Sequence, residues 1–199
     1  MTKGKRLTLA EQSEATVREL IVVGRDAFTR DGYMGANLEA IVQQANYTRG
    51  ALYHHFGGKE GLFKAVLSAV QADVAGRVEA AAHASDDSWE QLHAGCRAFL
   101  TASLDPQVRQ IMLIDAPAVL GWETWRAMDQ ASSMRLLHAS LSELAEAGII
   151  RTPSVEALAH LLSGAMNEAA LWIVSADDPT QALDTAVATL ADWLERLRG

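Results

Sequence analysis

The chain has 199 residues, 49% hydrophobic and 21% charged, with a net charge of −8. That length fits one large domain or two small ones, and it buries about 70% of the unfolded chain's surface. Glycine (14) and proline (4) are too sparse for a collagen-like or low-complexity chain, and Cys96 alone cannot form an intrachain disulfide, which points to a reducing compartment.

No apolar run approaches the roughly 20 residues that cross a bilayer. Lys3, Lys5 and Arg6 near the N-terminus precede no apolar h-region, so a secretory signal is not expected there. The expectation is a cytoplasmic protein with no membrane partner. The acidic total hides a division. Residues 1–64 carry nine Lys/Arg against seven Asp/Glu, whereas residues 65–199 carry eight against eighteen. All three tyrosines lie in the first part and all five tryptophans in the second. The first part tolerates a polyanion better than the second.

Apolar residues recur at spacings of three and four and no strand-like alternation appears, so the expected class is all-α with about nine helices. The first helix carries Val17, Leu20, Ile21, Gly24, Ala27 and Phe28 on one face and ends at Asp31-Gly32. Asn37 caps a short second helix with Leu38, Ile41, Val42 and Ala45 inward. Thr48 caps a third, with Leu52 and Phe56 inward, and Gly57-Gly58 breaks it. A longer fourth helix starts near Lys59 on the stripe Leu62, Phe63, Val66, Leu67, Val70, Val74 and Val78.

Beyond it, Asp87 with Glu90 reads as a capping box opening a helix through Ala102. Asp105-Pro106, Thr152-Pro153 and Asp178-Pro179 read as N-cap followed by N1. Pro117 is expected to break the chain after a short helix over 106–115. A long helix over 123–147, stopped by Gly148, and two more over 153–175 and 179–197 complete the set.

Residues 37–56 read as helix, tight turn, helix, with Asn46 suited to the left-handed backbone of the turn. A helix-turn-helix leads into the DNA major groove with the first residues of its second helix. Those residues are Thr48 and Arg49, and an arginine there reads guanine bidentately or grips a phosphate. Gly50 permits close approach. Tyr53 and His54 face away from Leu52 and Phe56, and Lys59 and Asn37 stand at helix N-termini that favour phosphate.

The run from Gly32-Tyr33 through Asn37-Leu38-Glu39-Ala40-Ile41 and Ala45-Asn46-Tyr47-Thr48-Arg49-Gly50-Ala51-Leu52-Tyr53-His54-His55-Phe56-Gly57-Gly58-Lys59-Glu60-Gly61-Leu62-Phe63 resembles the DNA-binding domain of TetR-family transcriptional regulators. The family usually has Ala-Gly-Val-Ser where this chain has Ala45-Asn46-Tyr47-Thr48, and threonines where it has Ala36-Asn37. The resemblance implies a helix-turn-helix domain over 8–58. It implies a ligand-binding and dimerisation domain over 59–199, with 59–82 as the connecting helix. It also implies a homodimer on a palindromic double-stranded DNA operator, and repression relieved by a small-molecule effector.

For the dimer, the last two helices would pair with their symmetry mates. Candidates are Leu161, Gly164 and Ala165 on one helix and Leu183, Val187, Leu190 and Leu194 on the other, with ordinary packing inside one chain as the alternative. For a lipophilic or aromatic effector, the adaptable walls are Met112, Trp122, Trp125, Met128, Met134, His138, Met166, Asn167 and Trp172, for which plain core packing is the competing reading. Asp115 and Glu168 are candidates to neutralise a cationic ligand. No cofactor or metal is expected. Enzymatic motifs are missing: no HExxH, Walker loop, GxGxxG or nucleophile elbow occurs, and Glu90-Gln91-Leu92-His93 is a single Glu-x-x-His where a di-metal bundle needs two. The alternatives to a ligand-responsive regulator are a structural DNA-binding protein without a ligand, or a helical-bundle enzyme.

Overall fold

The computed structural model describes residues 8–198. Lys3, Lys5 and Arg6 lie outside the described residues. Among the described residues there are nine α-helices and one π-helical segment: α1 (Leu9–Gly35), α2 (Leu38–Gln44), α3 (Arg49–Phe56), α4 (Lys59–Ala82), α5 (Ser88–Ala102), the π-segment (Val108–Asp115), α6 (Ala116–Gln130), α7 (Ser133–Glu146), α8 (Val155–Ser175) and α9 (Pro179–Glu195). Among the described residues there is no strand, only an isolated antiparallel bridge between Ile150 and Arg198.

The chain divides into two compact units, Met1–Ala69 and Val70–Gly199, so the division falls inside α4. The reason lies in the first turns of that helix. Leu62, Phe63, Val66 and Leu67 are fully buried. The Phe63 ring stands edge-on to Phe28 at 5.1 Å and to Tyr33 at 5.0 Å. Gly24 lets α1 approach Leu62 so closely that a Cβ there would sit 3.1 Å from its methyl carbon. The helix therefore belongs to the first core before it enters the second.

Local signals in the first unit act as the sequence implies. Gly32 (φ 67°) interrupts α1, Gly57 (φ 72°) closes α3, and Asn46 (φ 57°) is the single non-glycine described residue with positive φ. Asn37 Oδ1 accepts from the amides of Glu39 and Ala40, and Thr48 Oγ1 accepts from that of Ala51. A full capping box also opens α1: Thr8 accepts from the Glu11 amide while the Glu11 carboxylate accepts from the Thr8 amide.

In the second unit α8 is the central element, packed against α5, α7, α9 and the π-segment. Four expectations are corrected here. Pro117 does not break the chain; it occupies the first turn of α6, where its missing N–H costs nothing, and the π-segment runs straight into that helix. The long helix over 123–147 is two helices, because Ala131 and Ser132 form a turn with Ser132 at φ −116°, ψ −114°. α8 is capped by Ser154, which accepts from the Ala157 amide, whereas Thr152 Oγ1 accepts from the Ser154 amide one turn earlier. The Asp87 cap holds, accepting from Trp89 and Glu90, but its own amide donates to Ser85 Oγ instead of to Glu90. Asp178-Pro179 and Gly148 (φ 71°) act as expected.

By length and composition α8 is apolar enough to cross a membrane, contrary to the expectation that no run comes close. Its apolarity has another cause. Leu158, Ala159, Leu162, Met166, Ala170 and Ile173 fill the unit's core, and the polar Ser163 and Asn167 are buried among them.

Candidate nucleic-acid interface and internal cavity

The helix-turn-helix is assembled from three constraints. Leu52, fully buried, and Ile41, Val42 and Ala45 fix α3 against its unit's core. The Asn46 turn fixes the angle between α2 and α3, with the Tyr47 amide donating to the Val42 carbonyl. Tyr47 itself is half-buried in the turn. The cap at Thr48 then fixes where α3 begins. What remains outside is Thr48, Arg49, Gly50, Tyr53 and His54, all exposed.

Arg49 is already oriented. Its Nη2 donates to the Tyr53 hydroxyl at 3.3 Å, and its guanidinium carbon lies 5.4 Å from the centre of that ring. The pair spans one helical turn and presents cation and phenol together. Gly50 has only Thr48 Oγ1 near its missing Cβ, at 3.7 Å, so the helix surface is flat there. Lys59 is half-buried and turned inward: its ammonium lies 4.8 Å over the Tyr33 ring and donates to the Met34 carbonyl at 3.4 Å. Burial holds its pKa below the usual lysine value. Asn37 spends its side-chain oxygen on the α2 cap.

A cavity of about 240 Å³ that opens to solvent at Glu79, His83 and Glu143 lies in the second unit, walled by α4 (Val78, Glu79, Ala82), α5 (Leu92, Gly95, Cys96, Phe99), α7 (Met134, Leu137, Ser140, Glu143) and α8 (Ser163, Met166). Asp129 and Ser133 add polar groups. Asp129 is 2% exposed and its carboxylate accepts from Arg126 at 2.7 Å. Burial pushes its pKa up, opposed by Arg126, Asn167 and Ser163. Arg126 Nη1 also donates to Ser163 Oγ at 3.0 Å. Cys96, fully enclosed, has its thiol pushed up to about 12 by burial, so it is a small apolar wall group.

Of the residues picked from the sequence, Met134 and Met166 line this cavity. Trp122, Trp125 and Asn167 line a second, larger pocket of about 590 Å³ with Arg126, His160, Gly164, Glu168 and Leu171. Trp172 faces a shallow depression shared by α8 and α9, which Met166 also reaches. Met112 is core, 1% exposed, and its carbonyl accepts from Trp125 Nε1. Met128 is half-buried outside the cavity walls, and His138 is exposed beside Ser142. Asp115 and Glu168 also stand outside the cavity, whose acidic groups are Glu79, Asp129 and Glu143. The stripe Leu92, Cys96, Phe99 was readable in sequence, but a stripe facing a cavity and one facing solid core share the same period.

The expected interface residues split in two. Leu194 and Leu183 are buried within the subunit, and Val187, Leu190 and Ala165 are half-buried. Leu161, 65% exposed, and Gly164 face outward. They continue along α8 and α9 with Leu171, Trp172 and Trp193, all large apolar side chains left in water.

Residues 20–66 match the tetR family of bacterial regulatory proteins, and residues 89–197 match the tetracyclin repressor-like C-terminal domain. A solved TetR-family transcriptional regulator from Pectobacterium atrosepticum is 34% identical, with a TM-score of 0.79 over 96% of this chain and 98% of that one. The transposon Tn10 TetC protein of Escherichia coli is 22% identical over 77% of this chain and 78% of its own length. The HTH-type transcriptional regulator SrpR of Pseudomonas putida is 37% identical over 62 residues, 31% of this chain and 29% of that protein.

Proposed function

Because the chain belongs to the TetR family of DNA-binding, non-enzymatic transcriptional regulators, we propose that it is a homodimeric repressor released from its operator by a small lipophilic or aromatic effector. The observation that carries the ligand half of this reading is the cavity. An apolar chamber with a few placed polar groups is what a small-molecule site needs, whereas a protein that only coats DNA has no use for one.

The dimer half rests on the outward apolar face of α8 and α9, where Leu161, Trp172 and Trp193 stand exposed. A twofold dimer would set two copies of α3 about 34–36 Å apart, in successive major grooves of a palindromic site. Arg49 with Tyr53 would read base edges, Gly50 would sit against the backbone, and Thr48, His54 and the N-termini at Asn37 and Lys59 would hold phosphates. Lys59 would first have to leave Tyr33 and the Met34 carbonyl, or act from where it lies through the dipole of α4.

One continuous helix links the two halves of the mechanism. α4 begins at Lys59 and walls the cavity with Val78, Glu79 and Ala82. An effector that binds more tightly when α4 is displaced would lower the population competent for DNA, and an effector indifferent to α4 would shift nothing. The test is selection of the operator from genomic fragments, followed by release assays with a chemically broad library. The reading expects one specific palindrome and at least one compound class that lowers operator affinity. Specific binding that no compound alters would leave a DNA-binding protein without an effector.

A further inference from the structure

The cavity is chemically lopsided. Its wall includes three carboxylates, those of Glu79, Asp129 and Glu143, and His83, but no lysine or arginine. Asp129 already has Arg126 as its counter-ion. Glu79 and Glu143 have none of that kind along the wall, and Glu143 is held in place by a hydrogen bond from Ser88 Oγ at 2.7 Å. An anion entering here would face repulsion and find no lysine or arginine, whereas a positively charged nitrogen would find two carboxylates.

The opposite end of the chamber carries an independent signal. Ser133 is 9% exposed and its buried Oγ has no hydrogen-bond partner, although it lines the cavity. An unmet buried hydroxyl is costly and asks for a partner. Ser133 and Glu143 lie at the two ends of α7, separated by about 15 Å at 1.5 Å per residue. The apolar walls of the same cavity include Leu92, Phe99, Leu137 and Met166. The volume, about 240 Å³, exceeds the ~150 Å³ that holds a benzene ring.

We propose that the effector is a small aralkyl amine, bound as a cation between Glu79 and Glu143, with its ring along Phe99 and Met166 and a hydroxyl or ether oxygen at its far end satisfying Ser133. This rests on the reading of the chain as an effector-responsive regulator, and it narrows the lipophilic class to cations with a polar group at each end.

Titration calorimetry on the full chain tests it with three probes that share one phenol ring: tyramine (cation), tyrosol (neutral) and 4-hydroxyphenylacetate (anion). Tyramine is expected to bind about tenfold more tightly than tyrosol, and the anion not at all. The double variant Glu79→Gln with Glu143→Gln, both at exposed positions, should erase the preference for tyramine and leave tyrosol binding unchanged. Ser133→Ala should weaken tyramine several-fold but leave phenethylamine, which lacks the hydroxyl, as it was. Equal or tighter binding of the neutral or anionic probe overturns the proposal, and so does binding of none of the three. Either result strikes only the ligand class; the regulator reading stands or falls on operator release by the broad library.

Discussion

Two glycines of the DNA-reading unit have opposite reasons for being there. At Gly61 a Cβ would collide with the carbonyl oxygen of Phe56, a backbone atom that cannot rotate away. Gly61→Ala should therefore force the α3–α4 connection apart and cost about 1–3 kcal/mol of stability, measurable by thermal unfolding. At Gly50 there is room for a methyl group. Gly50→Ala should keep or slightly raise stability, so any loss of operator binding in that variant reports contact with DNA and not misfolding. Arg49→Ala removes the exposed guanidinium and leaves Tyr53 in place. It should lower specific DNA affinity by about 1–3 kcal/mol if Arg49 reads a base, and a variant with unchanged affinity and specificity would remove Arg49 from that role. The sequence made Arg49 and Gly50 legible through their place at the start of α3. Gly61 stands in the family motif, but its physical reason is not legible there, because the clash involves a backbone atom that only the folded turn brings near.

At the scale of elements, punctuation was legible wherever one residue carries the geometry. Asn46 sits at φ 57° between α2 and α3, a conformation that a β-branched side chain resists. Asn46→Val should cost about 1–2 kcal/mol and weaken operator binding with it, while Asn46→Gly should restore both; equal unfolding midpoints for the two variants would contradict this. The missed boundary between α6 and α7 has no such residue. Apolar periodicity runs through 123–147 without a glycine or proline, and Ser132 turns the chain with its own backbone while its hydroxyl donates to the Gln71 carbonyl. Pro117 misled for the complementary reason. A proline looks the same in sequence whether it ends one helix or begins the next.

At the scale of the whole molecule, the net charge of −8 is a sum over two units with different tasks. The acidic residues concentrate in the unit that holds the cavity, and some of them line it. The buried pair Arg126–Asp129 joins α6 to α8 through Ser163. Asp129→Ala would strand the Arg126 guanidinium, whose side chain is 15% exposed, and should cost about 3 kcal/mol in chemical denaturation; a variant as stable as the parent would show that the pair adds nothing net. Association belongs to this scale too. Leu161→Glu places a charge on the exposed face of α8 and should halve the sedimenting mass at micromolar concentration with helix content unchanged. A dimer that survives the change would move the interface elsewhere.

The sequence by itself determined the all-α class, the helix-turn-helix with its caps and turn, and the family. These rest on local physics: periodicity, capping and left-handed positions act within a few residues, so they survive without a fold. Tertiary structure alone decided which apolar residues wall a chamber and which fill solid core, since Met112 and Met134 are alike in sequence and only packing separates them. It also decided that Lys59 lies folded onto Tyr33, and that Glu79 and Glu143 share a cavity from different helices. Those relations span tens of residues along the chain, and no local pattern encodes them.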